Sequence, residues 1–255
     1  YCRDKVPLAA NQQAGDLCIV NANNAQLAEY CRNLPNVIYY GKPDGFHANG
    51  KNLFYKDELL ISIDELKISG NHNMDNLAGV MTIVEHLGLD FRKAAELLKT
   101  FEPLPHRLQK VATIDGVLFI NDSISTAPEA AVSAMQSFED GMVVISGGIE
   151  NKQDYQQYAQ TVEHNSKVKA VITLFQCGPQ IAESIRRVVK RPDFKLIETD
   201  TLENAVKIAF DEVRRAGGHL VLFSPTAPSF GYYKNFMERG EHFISIVKNL
   251  EKESL

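Results

Sequence analysis

Five short segments hold the side chains whose types and spacing could do chemistry. Ser69-Gly70-Asn71-His72-Asn73-Met74-Asp75-Asn76 sets three asparagines and a histidine at the head of an apolar helical run. Amide and imidazole groups placed there can hydrogen-bond a heterocycle or a phosphate. Asn73 or Asp75 acting as a plain helix cap would explain only one of them. Leu104-Pro105-His106-Arg107 puts a guanidinium at what reads as a domain join, where its planar fork can reach a phosphate across a cleft. Asn121-Asp122-Ser123-Ile124-Ser125-Thr126 lies between a strand and a helix. Thr126 and Glu129 have capping-box spacing, which accounts for those two but not for Asp122. Gly147-Gly148-Ile149-Glu150-Asn151-Lys152 follows another strand, and paired glycines there allow close approach of the backbone to a ligand. Ser224-Pro225-Thr226-Ala227-Pro228-Ser229-Phe230 offers small and hydroxyl groups after a last strand, which suits an anion or carboxylate.

Other chemistries find no support. No Gly-Lys-Ser/Thr phosphate loop occurs, and the seven histidines show no HxH or HExxH spacing. No G-x-S-x-G elbow exists for a serine hydrolase. The four cysteines, at 2, 18, 31 and 177, include no CxxC pair and fit a reducing cytoplasm. With 27 Lys plus Arg against 32 Asp plus Glu, the net charge of −5 comes with no dense basic segment, which argues against nucleic acid. No run of 18 apolar residues exists to span a membrane.

The elements that must position these segments follow from apolar periodicity in a chain of 255 residues with 44% hydrophobic content. Strands are expected at Leu17–Val20 and Val37–Tyr40, a turn-rich loop at Gly45–Gly50, and a hairpin over Asn52–Ile63 with Lys56-Asp57-Glu58 at its tip. A helix is expected over Asp75–Leu87 with Leu77, Val80, Met81 and Val84 on one face, and a second after Asp90 as its N-cap. Pro103 and Pro105 close that region. Five apolar runs, Val117–Ile120, Met142–Ile145, Ala170–Phe175, Lys195–Ile197 and Leu220–Phe223, then alternate with helical patterns. Asp200 and Glu203 have capping-box spacing before the apolar face Leu202, Ala205, Val206, Ala209 and Val213. The expected fold class is α/β, with a mostly parallel sheet of about six strands in the second part. Ligands in such sheets sit beyond the strands' carboxyl ends, which picks out the segments after residues 121, 146 and 224, and also Phe175-Gln176-Cys177-Gly178.

Taken in order, the five segments resemble the Mur ligases, ATP-dependent amide-forming enzymes of peptidoglycan synthesis. The shared pattern is GxHNxxN, LPHR, NDSxxT, GG and SPxxxS, followed by KNFxxRGxxF at Lys234 to Phe243. Each motif alone is weak, and the ordered set covers nearly the whole chain. The resemblance implies residues 1–103 as the C-terminal part of the family's central ATP-binding domain and residues 104–255 as its Rossmann-like C-terminal domain. It implies ATP and Mg2+ as cofactors and a cytoplasmic enzyme. It further implies glutamate and UDP-N-acetylmuramoyl-L-alanine as substrates, joined through an acyl phosphate. Carried over residue by residue, Lys5 would be the carbamylated lysine that helps hold magnesium. Asn73 and Asn76 would meet adenine, His106 and Arg107 would face the nucleotide, and Asp122 would lie near ribose and phosphates. Thr126, Asn151, Lys152, Ser229, Phe230 and Phe236 would surround the incoming amino acid. The chain starts at Tyr1, within a segment like the family's Y-x-x-x-K, so the uridine-binding domain and the phosphate loop are expected upstream and the chain alone is expected to be inactive.

Two positions depart from the family pattern. Ile124 stands where a lysine is usual, and Asn151 stands where the glycine loop usually has a lysine, with Lys152 next to it. A relocated cation is what an exchange of D- for L-glutamate would need, so the L enantiomer is the expected substrate. Two other readings compete: a Mur-like or folylpolyglutamate-like ligase with another acceptor, and a degenerate, non-catalytic Mur-like binding module.

Overall fold

The computed structural model describes residues 7–13, 15–68, 70, 72–150 and 152–253. The chain divides into two compact units, Tyr1–Glu102 and Pro103–Leu255.

In the first unit, β1 (Cys18–Asn21) and β2 (Val37–Tyr40) pair in parallel, with α1 (Ala25–Cys31) crossing between them. Next come β3 (Phe46–Asn49), β4 (Asn52–Tyr55) and β5 (Glu58–Ser62), an antiparallel meander in the order β3-β4-β5. The stretch Gly45–Gly50, expected as loop, is therefore mostly strand. Its polar residues His47 and Asn49 alternate with Phe46 and Ala48, so the run is short but has the period of two that a half-buried strand needs.

Two helices follow, α2 (His72–His86) and α3 (Phe91–Leu98). Helix α2 starts three residues before the expected Asp75. Its buried face is Met74, Leu77, Ala78 and Met81, packed on Phe46, Leu53 and Ile61 of the meander. Val80, expected on that face, is 42% exposed. Leu77 and Met81 are four residues apart and share a stripe, whereas Val80 is displaced around the helix and gives way to Ala78 and Met74. Asp90 caps α3 as expected, accepting from the amides of Arg92 and Lys93.

The second unit is a six-stranded sheet in the order β10-β9-β8-β11-β7-β6. Its strands are β6 (Gln109–Ile114), β7 (Val117–Asn121), β8 (Met142–Ser146), β9 (Val168–Thr173), β10 (Lys195–Glu198) and β11 (Leu220–Phe223). All run parallel except β6, which pairs antiparallel with β7 at the edge. Strand β6 was not among the five apolar runs, because Gln109, Lys110 and Thr113 break its apolar character at a sheet edge.

Helices α4 (Pro128–Gln136), α5 (Gln156–His164) and α6 (Gly178–Val188) cover one face of this sheet. There Met135, Tyr158, Val162, Ile181 and Ile185 pack on Ile120, Met142, Val144 and Leu222. Helices α7 (Leu202–Arg215) and α8 (Phe236–Glu253) cover the other. Leu202, Ala205, Val206, Ala209, Val213 and Phe243 pack there on Phe119, Val143, Ile145, Val221 and Phe223. Burial on both faces is why β8 and β11 read as unbroken apolar runs rather than alternating ones.

Two caps differ from expectation. Helix α7 is capped by Thr201, whose hydroxyl accepts from the Asn204 amide, one residue past Asp200. Helix α4 takes Ala127 as its N-cap with no side-chain bond, since Pro128 at the first helical position needs no acceptor for a missing N–H. The capping-box reading of Thr126 and Glu129 thus falls away, and Thr126 is exposed.

The observed face of α2 makes a direct test. Met81→Ala should lower stability in urea by about 2–5 kcal/mol, the usual cost of emptying a buried site. Val80→Ala should stay within about 0.5 kcal/mol, as surface changes do. Equal losses would place Val80 in the core after all.

Candidate active site

Strand β11 lies between β7 and β8, so the chain after β7 and after β8 departs from either side of it. At their carboxyl ends three loops, residues 121–127, 146–150 and 224–229, come together. This is the crevice where parallel sheets bind ligands.

One side chain bonds two of these loops at once. Arg239, in the first turns of α8, is fully buried. Its Nε donates to Ser123 Oγ at 3.0 Å, its Nη2 to the Ser123 carbonyl at 2.8 Å and its Nη1 to the Ala227 carbonyl at 2.9 Å. Ser123 Oγ in turn donates to the Phe236 carbonyl at 2.8 Å. The arginine thereby ties the loop after β7 to the loop after β11 and both to the start of α8. Its partners are neutral oxygens, and burial lowers its pKa to about 10, so it stays charged at neutral pH. The motif KNFxxRG marks this arginine in the sequence, but nothing in the residue types alone shows what it holds.

Asn121 adds a second tie. Its amide nitrogen donates to His106 Nδ1 at 2.9 Å and to the Gly240 carbonyl at 3.2 Å, while its Oδ1 accepts from the Ser123 amide at 3.1 Å. An amide nitrogen can only donate, so His106 Nδ1 is the acceptor and the ring proton rests on Nε2. That nitrogen lies 3.5 Å from Glu241 Oε1. A side chain at Gly240 would put its Cβ 2.3 Å from His106 Nδ1, so glycine is what lets α8 come this close. His106 is itself 3% exposed, whereas Arg107 beside it is exposed.

Asp122 is 5% exposed at the end of β7. One oxygen accepts from the Leu108 amide at 3.2 Å and the other from Ser224 Oγ at 2.9 Å. Burial raises its pKa to about 6, against the lowering effect of those two bonds and of the Arg107 charge. Asp122 therefore joins the end of β7 to the residue after β11 and to Leu108, next to the LPHR segment, whatever it does toward a ligand.

The paired glycines have a different cause from the expected one. A Cβ on Gly147 would lie 2.0 Å from the Leu174 carbonyl, and one on Gly148 would lie 2.5 Å from the Pro228 carbonyl. The close approach they permit is to the protein's own backbone on either side. Gly147 N–H reaches the Pro225 carbonyl at 2.8 Å, and Ile149 N–H reaches the Pro228 carbonyl at 3.0 Å.

Of the amino-acid-site positions, Ser229 is 3% exposed, Phe230 is 60% exposed, and Phe236 is half-buried, edge-on to His106 at 6.3 Å. Lys152 is exposed with φ +52°. Asn73 and Asn76 lie in the first unit, where the Asn76 amide donates to Asn73 Oδ1 at 3.2 Å. Lys5 and Asn151 fall outside the described residues. Among the described residues, no group of three or more His, Cys, Asp or Glu side chains is placed to hold a metal ion. Among them, too, no helix is long and apolar enough to cross a membrane.

Two predictions follow from this geometry. Arg239→Lys should cost about 2–4 kcal/mol in urea unfolding, because an ammonium cannot serve three separated oxygens and leaves buried carbonyls unpaired. A loss below about 0.5 kcal/mol, typical of a surface change, would contradict it. For Asp122, the folded value lies above the roughly 3.9 of an unfolded aspartate. Between about pH 4 and pH 6 the folded chain then holds more proton than the unfolded one, and this group's contribution to stability falls as pH rises. Asp122→Asn cannot ionise, so the variant should gain on the unaltered chain by up to about 3 kcal/mol between pH 4 and pH 7. Parallel stability–pH curves for the two would refute that.

Comparison with known proteins agrees with the fold. Residues 106–227 match the family model described as Mur ligase, glutamate ligase domain. The UDP-N-acetylmuramoyl-L-alanine–L-glutamate ligase of Xanthomonas campestris is 32% identical over 248 residues, covering 97% of this chain and 52% of that protein. The UDP-N-acetylmuramoylalanine–D-glutamate ligase of Pediococcus pentosaceus is 30% identical over 259 residues, covering 99% and 55%. The chain thus spans about half the length of the curated relatives it matches. Among solved structures, MurF from Acinetobacter baumannii superposes with a TM-score of 0.68 at 14% identity, covering 98% of this chain and 55% of that one. Folylpolyglutamate synthase of Mycobacterium tuberculosis, complexed with ADP, gives 0.70 at 12% identity, covering 96% and 58%. Residues 106–227 thus belong with the Mur ligases by their glutamate ligase domain, and the chain is similar to glutamate-adding members of that family along nearly its whole length.

Proposed function

We propose that the protein containing this chain is an ATP-dependent ligase that joins L-glutamate to the carboxylate of UDP-N-acetylmuramoyl-L-alanine. The observation that carries the reading is the Arg239 tie. It brings Ser123 and the Thr126 loop, the Ala227–Ser229 loop and Phe236 to one end of the sheet. Thr126, Ser229 and Phe236 among them are positions at which the resemblance puts the incoming amino acid. Similarity to ligases of both glutamate enantiomers supports glutamate as that amino acid.

ATP with Mg2+, when bound, supplies the phosphoryl group that activates the acceptor carboxylate. The chain's own residues have the remaining tasks. Thr126 and Ser229 donate hydroxyls to one glutamate carboxylate, beside the free N–H groups at the start of α4. Lys152 neutralises the second carboxylate from the glycine loop, and Phe230 and Phe236 exclude water around the carbon chain. Glutamate held this way keeps its amine free to attack the activated carbonyl, and phosphate leaves. By the resemblance, Asn73 and Asn76 in the first unit would meet adenine, Arg107 and Asp122 in the second would lie toward ribose and phosphates, and Lys5, as a carbamate, would offer oxygen to magnesium, which a neutral or cationic amine cannot do.

Ile124 carries the stereochemical part. It removes the ammonium that the usual family pattern has two residues after Asp122, while Lys152 supplies one from another direction. Swapping enantiomers moves the side-chain carboxylate and leaves the amine in place, so the cation has to move with it. In the whole protein, kcat/KM for L-glutamate should exceed that for D-glutamate by about 10²–10⁴, since the wrong enantiomer leaves a carboxylate unpaired. A tenfold preference for the D form would overturn the stereochemical assignment and leave the family membership standing.

A further inference from the structure

One segment at the sheet's carboxyl end has no task in the proposed mechanism: Phe175-Gln176-Cys177, after β9. It is bonded to both walls of the proposed amino-acid pocket. Toward the glycine loop, Gln176 Oε1 accepts from the Glu150 amide at 3.1 Å. The Cys177 amide donates to the Gly148 carbonyl at 3.0 Å, and the Gly148 amide donates to Cys177 Sγ at 3.1 Å. Gln180, in the first turn of α6, donates to Glu150 Oε1 at 2.7 Å. Toward the other wall, the Phe175 ring stacks on Tyr232 with centroids 4.2 Å apart and planes 30° apart, and meets Tyr233 edge-on at 6.2 Å.

Phe175 holds this position at a backbone cost. Its φ is +61°, a left-handed conformation unfavourable for a bulky L-residue. Such strain persists where the surroundings over-determine it and concentrates at functional sites. The segment that Phe175 holds, residues 229–235, has no regular secondary structure and runs from Ser229 and Phe230 to the start of α8 at Phe236. Its tyrosines are its anchors: Tyr232 on Phe175, and Tyr233 through a hydroxyl 2.8 Å from His242 Nδ1.

We propose that the Phe175–Cys177 turn is a positioning element that sets the distance between the Lys152 loop and the Ser229–Phe236 segment, and so tunes the pocket for one glutamate enantiomer. The turn acts through its neighbours and touches no substrate. The inference rests on the glutamate-site reading above. A shift of about 1 Å between two charge-binding walls is enough to spoil a two-carboxylate fit.

The test uses Phe175→Leu, Gln176→Met and Phe175→Tyr in the whole protein. The first two should raise the glutamate KM about tenfold or more and narrow the enantiomer preference, with the ATP KM unchanged. Phe175→Tyr, which keeps the ring, should retain the unaltered values. An unchanged glutamate KM in both of the first two variants would overturn the proposal, as would a parallel rise in the glutamate and ATP KM values. If the unaltered protein makes no use of glutamate, the functional reading fails instead. Hydrogen exchange in the 255-residue chain then decides whether the turn braces the two walls. Faster exchange at Glu150 in Gln176→Met and at Tyr232 in Phe175→Leu supports the brace, and unchanged rates there overturn it.

Discussion

The second unit depends on a charge buried without a carboxylate beside it. Arg239 is out of water, and its guanidinium is served by a hydroxyl and two carbonyls that belong to two different loops. Burying a cation is costly unless its donors are satisfied, so the loops have little freedom to move while the arginine stays in place. That constraint explains why three segments separated by up to 116 residues meet at one place. Arginine suits the task because its donors are fixed in a plane and reach in several directions at once.

Around that tie the backbones are packed too closely for side chains. Gly147 and Gly148 pass between Leu174 and Pro228, and Gly240 passes against His106. The strained, buried Thr226, at φ +66°, sits in the same layer. The site is therefore assembled from inside: a rigid layer of paired backbone and buried polar groups beneath, with Phe230, Thr126 and Lys152 exposed above it. Asp122 belongs to the lower layer by its bonds to Leu108 and Ser224, and burial is what keeps its pKa high.

Elements whose neighbours are apolar on both sides were legible in the sequence. The runs of β8 and β11, and the α7 face from Leu202 to Val213, appear in the structure within a residue or two of expectation. Elements at edges were not. Strand β3 and strand β6 carry His47, Asn49, Gln109 and Lys110, polar residues that an edge tolerates and a periodicity reading rejects. The caps at Thr126 and Asp200 misled because spacing fixes which residues could cap, while the backbone decides which does. For the candidate site, the sheet rule named the strand ends at which the loops after β7, β8 and β11 meet. What stayed hidden was long-range: the duty of Arg239 toward Ser123 and Ala227, and the reason for two adjacent glycines, both of which need the tertiary contacts to be seen.

The functional account stands or falls on whether phosphate takes an oxygen from the acceptor carboxylate. The measurement is mass spectrometry of the phosphate released when the whole protein is given ATP, Mg2+, L-glutamate and UDP-N-acetylmuramoyl-L-alanine bearing heavy oxygen in its alanine carboxylate. The account predicts glutamate-dependent release of phosphate carrying one heavy oxygen, because an acyl phosphate broken by the amine leaves that oxygen on phosphorus. Phosphate released without the label, or released at the same rate without glutamate, would contradict it.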